Sequence, residues 1–201
     1  MFLDREEAGN RLAEALIEYK GKNMIVLALP RGGVPVGKRI AHALGCPLDT
    51  IVARKVGMPG NPEYAIGAIA PHDVLIMEKD VPGVERFVEE EKQEMRRRML
   101  KYKSGSYTRG VKPEIVIVVD DGVATGKTAR AALRAARAMY PVAQIVFATP
   151  VGAPDSLEEI GREARVVCLE TPQNFLSVGQ WYESFPQLDD AEVMQFLETN
   201  S

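Results

Sequence analysis

Residues 114–119, EIVIVV, form an almost unbroken run of β-branched apolar side chains. A strand with one wet face alternates apolar and polar residues. This one does not, so both of its faces must be covered. That demand favours a parallel sheet with helices packed on either side. Residues 24–29 read as a second buried strand, followed by a loop at 30–33 and a helix at 34–44. Residues 48–53, 144–149 and 165–169 read as further strands, with helices at 127–140 and 155–163 between them. The predicted fold is α/β, with a central mainly parallel sheet and helices on both faces.

Other segments depart from this alternation. An opening helix is predicted over 4–20, where Asp4 and Glu7 have capping-box spacing, and a last helix over 189–198 repeats it with Asp189 and Glu192. Residues 55–62 are rich in turn formers, and 64–70 with 74–77 suggest a hairpin. A long polar helix over 84–103 carries its acids early and its bases late, which complements the helix dipole. Its end, 96–103, is the one basic patch. After it, 104–112 reads as a loop, and with 57–62 it is an expected mobile stretch. No repeat or linker divides the 201 residues, so a single domain over 1–201 is expected.

Lys and Arg number 25 against 28 Asp and Glu, a net charge of −3. That balance argues against a nucleic-acid partner held by phosphate neutralisation. No run of eighteen apolar residues offers a membrane span. The opening MFLDREEAGNRL has acids where a secretory signal needs an apolar core. Cys46 and Cys168 stand far apart and outside any metal-binding spacing, so they read as reduced thiols of a cytoplasmic protein.

The most informative segment is VIVVDDGVATGKTARAAL, residues 116–133. A buried strand ends in Asp120 and Asp121, a short loop follows, and a helix begins near Gly126. Unpaired N–H groups at such a helix start suit a phosphate. Gly122 and Gly126 let the backbone curl around an anion, and Thr125 and Thr128 add hydroxyl donors. Acids beside a phosphate cradle would repel it, unless the ligand is a sugar phosphate whose hydroxyls meet the acids. A Walker A loop needs four residues between its glycines. Here only Val123, Ala124 and Thr125 lie between Gly122 and Gly126. A second glycine-rich turn, Pro30-Arg31-Gly32-Gly33, follows the strand at 24–29, with Arg31 supplying charge-assisted hydrogen bonds.

The strand, the two acids and Thr125-Gly126-Lys127-Thr128 together resemble the signature of the type I phosphoribosyltransferases. The DREEAG near the start, ARKVGMPGNPEYAIGAIA at 53–70 and the late WYESFPQLDDAEV resemble a branch of that family whose acceptor is unassigned. The resemblance implies 5-phosphoribosyl-1-diphosphate (PRPP) as co-substrate, with Mg²⁺. Asp120 and Asp121 would meet the ribose hydroxyls and hold the metal through water. Residues Gly122, Val123, Ala124, Thr125, Gly126, Lys127 and Thr128 would carry the 5-phosphate. Arg31, Gly32 and Gly33 would form a diphosphate loop, a position where the family often has a cis peptide. Arg54 and Lys55 would reach the diphosphate when a mobile loop closes.

The resemblance also implies a core over about 22–170 and a hood from 1–20 and 171–201. The hood would select a small nitrogenous acceptor, with Phe175, Trp181, Tyr182 and Phe185 as its aromatics, and Glu63 and Tyr64 either face substrate or pack. Nucleotide metabolism is the implied setting, and a homodimer is compatible with it. The alternative is a non-catalytic regulator that binds PRPP or nucleotides, with the patch at 96–103 touching RNA. Lys127 occupies the variable position of its motif, where the backbone and not the side chain meets phosphate. Lys127→Ala should therefore keep most of the activity, whereas a loss of roughly several thousandfold would revive the Walker-type nucleotide-hydrolase reading.

Overall fold

The computed structural model of the chain describes residues 1–77 and 81–198. Along the first half run α1 (Arg5–Ala15), β1 (Met24–Ala28), α2 (Gly33–Leu44), β2 (Leu48–Thr50), β3 (Arg54–Met58), β4 (Asn61–Ala70) and β5 (Val74–Met77). The second half holds α3 (Glu85–Lys101), β6 (Ile115–Val119), α4 (Lys127–Met139), β7 (Gln144–Val151), α5 (Pro154–Gly161), β8 (Arg165–Glu170) and α6 (Asp190–Glu198). Five strands form a parallel sheet in the order β2-β1-β6-β7-β8, and β3-β4-β5 form a small antiparallel one. This is the α/β architecture that the apolar runs require.

All five residues of β1 and all five of β6 are buried. Successive side chains of a strand point to opposite faces, so each strand feeds two cores. Met24, Val26, Ile115 and Ile117 meet side chains of α1, α2, α3 and α6. Ile25, Leu27, Val116 and Val118 meet α4 and residues Ala68 and Ala70 of β4. The buried side of α4 is Ala129, Ala131, Ala132, Ala135 and Ala136 with Leu133, and these small side chains let it lie close on the sheet. Among the described residues, no helix is long and apolar enough to cross a membrane. Cys46 and Cys168 are free thiols, and burial pushes Cys46 up to about 11.

The structure departs from the sequence pattern at several boundaries. The opening helix ends at Ala15, and a 3₁₀ turn spans Ile17–Tyr19. Its three-residue period keeps Leu16 and Tyr19 together in the core while Ile17 faces solvent. Asp4 caps α1 by accepting the N–H groups of Glu6 and Glu7, but Glu7 reaches back to Leu3, so the reciprocal bond of a capping box is not made. The reciprocal bond does form at α6, where Asp189 N–H donates to Glu192 at 2.7 Å.

The expected turn at 55–62 is instead half a hairpin. Lys55 pairs with Ala68 and Val56 with Gly67, with register shifts around Gly57. Gly57, Pro59 and Gly60 hide the strand from its sequence pattern, but the actual turn is only residues 59–60, with Gly60 at φ 80°. The basic patch is largely neutralised in place. Arg97 and Arg98 both bind Glu94, and Arg97 and Lys101 both bind Asp190 at 3.2 Å. Asp190 also accepts Tyr102 OH at 2.6 Å, which ties α6 to α3.

The second expected mobile stretch, 104–112, is anchored. Asp49, fully buried in the middle of β2, accepts N–H groups from Thr50, Gly105 and Thr108 and the Thr108 hydroxyl. Asp49→Ala would strand two of those amides without an acceptor. We expect it to destabilise the fold by about 3 kcal/mol in urea unfolding, with faster hydrogen exchange at Gly105 and Thr108.

Candidate active site

From β1 the chain passes through α2 to β2, on one side. From β6, the next strand, it passes through α4 to β7, on the other. Neighbouring strands whose connections diverge leave a crevice at their carboxyl ends, where open α/β sheets bind ligands. Residues 29–33 and 120–126 face each other across that crevice. They are stitched at its base by Leu29 N–H donating to Val119 O at 2.8 Å.

The loop after β1 holds a cis peptide between Pro30 and Arg31. Gly32 and Gly33 owe their identity to the opposite loop. A Cβ on Gly33 would lie 2.7 Å from Val119 O, and one on Gly32 would overlap the Asp121 carboxylate. The sequence suggests glycines that make room for an anion. In the structure they make room for the acids. Arg31 is half-buried and lies near Tyr102. Burial raises the Tyr102 phenol above its ordinary range, and the Arg31 charge opposes that rise.

Asp120 accepts the N–H of Asp121 at 2.9 Å. Burial, then the Asp121 charge, push the Asp120 carboxyl well above the usual carboxylate range, against the opposing pull of that N–H and of Arg5. Asp121 takes Arg5 Nε at 2.7 Å, and its carbonyl accepts Tyr182 OH at 2.6 Å. Asp121 thus has a buried partner in the protein, Arg5. Arg5 was missed by sequence reasoning because nothing local in DREEAG links it to a residue 116 positions away.

The next loop is pinned on both flanks. Val123 bridges to Gly152, and Ser156 Oγ donates to Ala124 O at 2.7 Å. Gly126 adopts a left-handed φ of 69° at the start of α4, where no side chain caps the helix. The N–H groups of Ala124, Thr125, Gly126 and Thr128 find no protein acceptor among the described residues, and Ala124 and Thr125 are exposed. Four such donors at a helix start form an anion cradle. Lys127 points elsewhere: its Nζ donates to Ala65 O at 2.7 Å, beside the exposed ring of Tyr64. Gly122 faces Val178, a tail residue that a Cβ at this position would displace.

Arg54 belongs to a different cluster from these loops. Its Nε pairs with Glu91 of α3 at 2.7 Å, and Lys55 is exposed beside it on β3. The side chain of Glu63 lies outside the described residues. The tail aromatics are used in packing. Tyr182 is buried between Phe2 and Phe185, with ring centroids 5.4 and 4.9 Å away, and Trp181 and Phe175 pack on the same cluster.

A phosphoribosyl transferase domain model matches residues 2–183. The chain belongs to the phosphoribosyl transferase domain family. TT1426 from Thermus thermophilus, a solved structure, superposes with a TM-score of 0.82 at 38% identity, over 98% of this chain and 97% of that one. AQ2163 from Aquifex aeolicus shares the fold at a TM-score of 0.56 and 12% identity, over 98% and 86%. Among curated proteins, Rv0571c of Mycobacterium tuberculosis, named only provisionally as a phosphoribosyl transferase, is 41% identical over 98% of this chain. The chain spans about half the length of the curated relatives it matches, 46%.

In this member of the family, the glycines of one loop and the acids of the other are complementary shapes. Gly32→Ala should push Asp121 off Arg5 and cost about 2 kcal/mol of stability. Urea unfolding would measure it, and the same loss is expected for Gly33→Ala, whose Cβ meets rigid backbone.

Proposed function

We propose that the crevice binds PRPP with Mg²⁺, and that the protein transfers the 5-phosphoribosyl group to a nitrogenous base or related nitrogen nucleophile, releasing pyrophosphate. The observation that carries this reading is the meeting, on adjacent strands, of an anion cradle at 124–128, the acid pair at 120–121 and the Arg31-Gly32-Gly33 loop. A sugar phosphate with a second charged end satisfies all three at once. The cradle amides take the 5-phosphate, the acids take ribose hydroxyls, and Arg31 faces the diphosphate.

Displacement at the anomeric carbon passes through an oxocarbenium-like transition state, as in sugar hydrolysis. No covalent nucleophile is needed. The protein holds both reactants in line and stabilises charge on the leaving group. Asp120 and Asp121 suit a metal held through water, since one Asp121 oxygen is already committed to Arg5. When bound, Mg²⁺ neutralises the departing pyrophosphate. The segments 1–20 and 171–198 form the hood that selects the acceptor, in a cytoplasmic enzyme of nucleotide metabolism. The regulator alternative loses its basic patch to the pairs on α3.

Calorimetric titration with PRPP and Mg²⁺ tests the binding, and pyrophosphate release with a panel of purines, pyrimidines and other amines tests the transfer. We expect PRPP binding and release with at least one acceptor class. Absence of PRPP binding would sink the reading. Binding without turnover across the panel would favour the regulator.

A further inference from the structure

The two neighbouring acids are not equivalent. Asp121 is enclosed: Arg5 Nε sits 2.7 Å from its Oδ2, with the two side chains only 9% and 14% exposed. Gly32 backs directly onto the same carboxylate, and Tyr182 OH holds its carbonyl. Arg5 is itself immobilised. Its Nη1 donates to Pro186 O at 2.8 Å, and its guanidinium lies 3.8 Å from the centre of the Phe185 ring. Arg5 opens α1, while Phe185 and Pro186 belong to the tail, so one guanidinium joins both ends of the chain to the acid pair. Asp120, by contrast, has no ion pair among the described residues. The bond it accepts is the local one from Asp121 N–H.

We propose that Arg5 is a positioning residue: it holds Asp121 Oδ2 and so fixes the acid pair, with Asp120 making the stronger contact of the two with the ribose of PRPP. This assignment rests on the PRPP reading above. Its physical basis is the cost of holding two adjacent carboxylates in one crevice. A buried guanidinium offsets one of the two charges and fixes where that carboxylate lies, whereas removing it leaves a buried charge uncompensated. Arg5 acts through Asp121 and does not touch the ligand. Lysine can supply the charge but not the fork that spans Asp121 and Pro186, nor the flat stacking on Phe185.

The test uses the full chain and PRPP with Mg²⁺ as the probe. PRPP dissociation constants and thermal midpoints are measured for the wild type, Arg5→Gln, Arg5→Lys, Asp121→Asn, Arg5→Gln with Asp121→Asn, and Asp120→Asn. We expect Asp120→Asn to lose the most affinity, about a hundredfold, and Arg5→Gln about tenfold, with Arg5→Lys between Arg5→Gln and the wild type. The double variant should bind no worse than the weaker of its singles, because both act through one contact. A merely structural Arg5 would lower the thermal midpoint and leave the PRPP affinity of the folded protein intact. Wild-type affinity in folded Arg5→Gln overturns the assignment, as do losses that add in the double variant or full affinity in Asp120→Asn. Should Arg5→Gln not fold, Arg5→Lys decides alone: weaker binding supports the role and wild-type binding removes it. A wild type that does not bind PRPP overturns the PRPP reading and this assignment together, which separates that failure from one confined to the variants.

Discussion

The pairing of β1 with β6 is the constraint on which the rest depends. Met24 lies beside Ile115 and Ala28 beside Val119, in one unbroken parallel register. These strands are about ninety residues apart in the chain, and pairing them means closing a long loop at an entropic cost. Nine large buried side chains, each contributing about 2 kcal/mol on leaving water, together with Ala28, offset it. Once the register is set, the carboxyl ends of both strands coincide and their connections must diverge. The crevice is a consequence of that pairing, before any ligand is considered.

The sequence made β1 and β6 legible because strands covered on both faces have no alternation to dilute. The acid pair and the threonine-glycine loop were legible because they are contiguous. The β3 strand was not, since its one fully covered residue, Val56, stands between Lys55 and Gly57 with Pro59 just beyond the strand. The anchoring of 104–112 was equally hidden, because Asp49 shares a short strand with Leu48 and Thr50 and its partners Gly105 and Thr108 lie more than fifty positions away. Arg5 shows the same limit most clearly. Local pattern reports what a residue does to its own element, and Arg5 acts on another.

The glycines of the first loop carry a related lesson. Gly32 and Gly33 sit where a diphosphate loop is expected, and backbone access to an anion explains them well from the sequence. The fold supplies a nearer reason: the opposite loop occupies the space of their missing side chains. The two explanations are compatible: Gly33 N–H is taken by Leu29 O, but the N–H groups of Arg31 and Gly32 find no protein acceptor among the described residues. Glycine here is fixed by protein on one side, whatever lies on the other.

The junction of the chain's two ends has a consequence for how the protein is made. Phe2 N–H donates to Trp181 O, Glu183 N–H returns to Phe2 O, and Arg5 spans from Asp121 to Pro186. On a ribosome the sheet can begin to assemble once β6 and β7 have emerged, yet Asp121 has neither its phenol nor the carbonyl that steadies Arg5 until residues 182–186 follow. Domains generally fold as units during synthesis, while elongation adds about 5–20 residues per second. The acid pair therefore acquires its full surroundings only after residues 182–186 have followed the sheet strands.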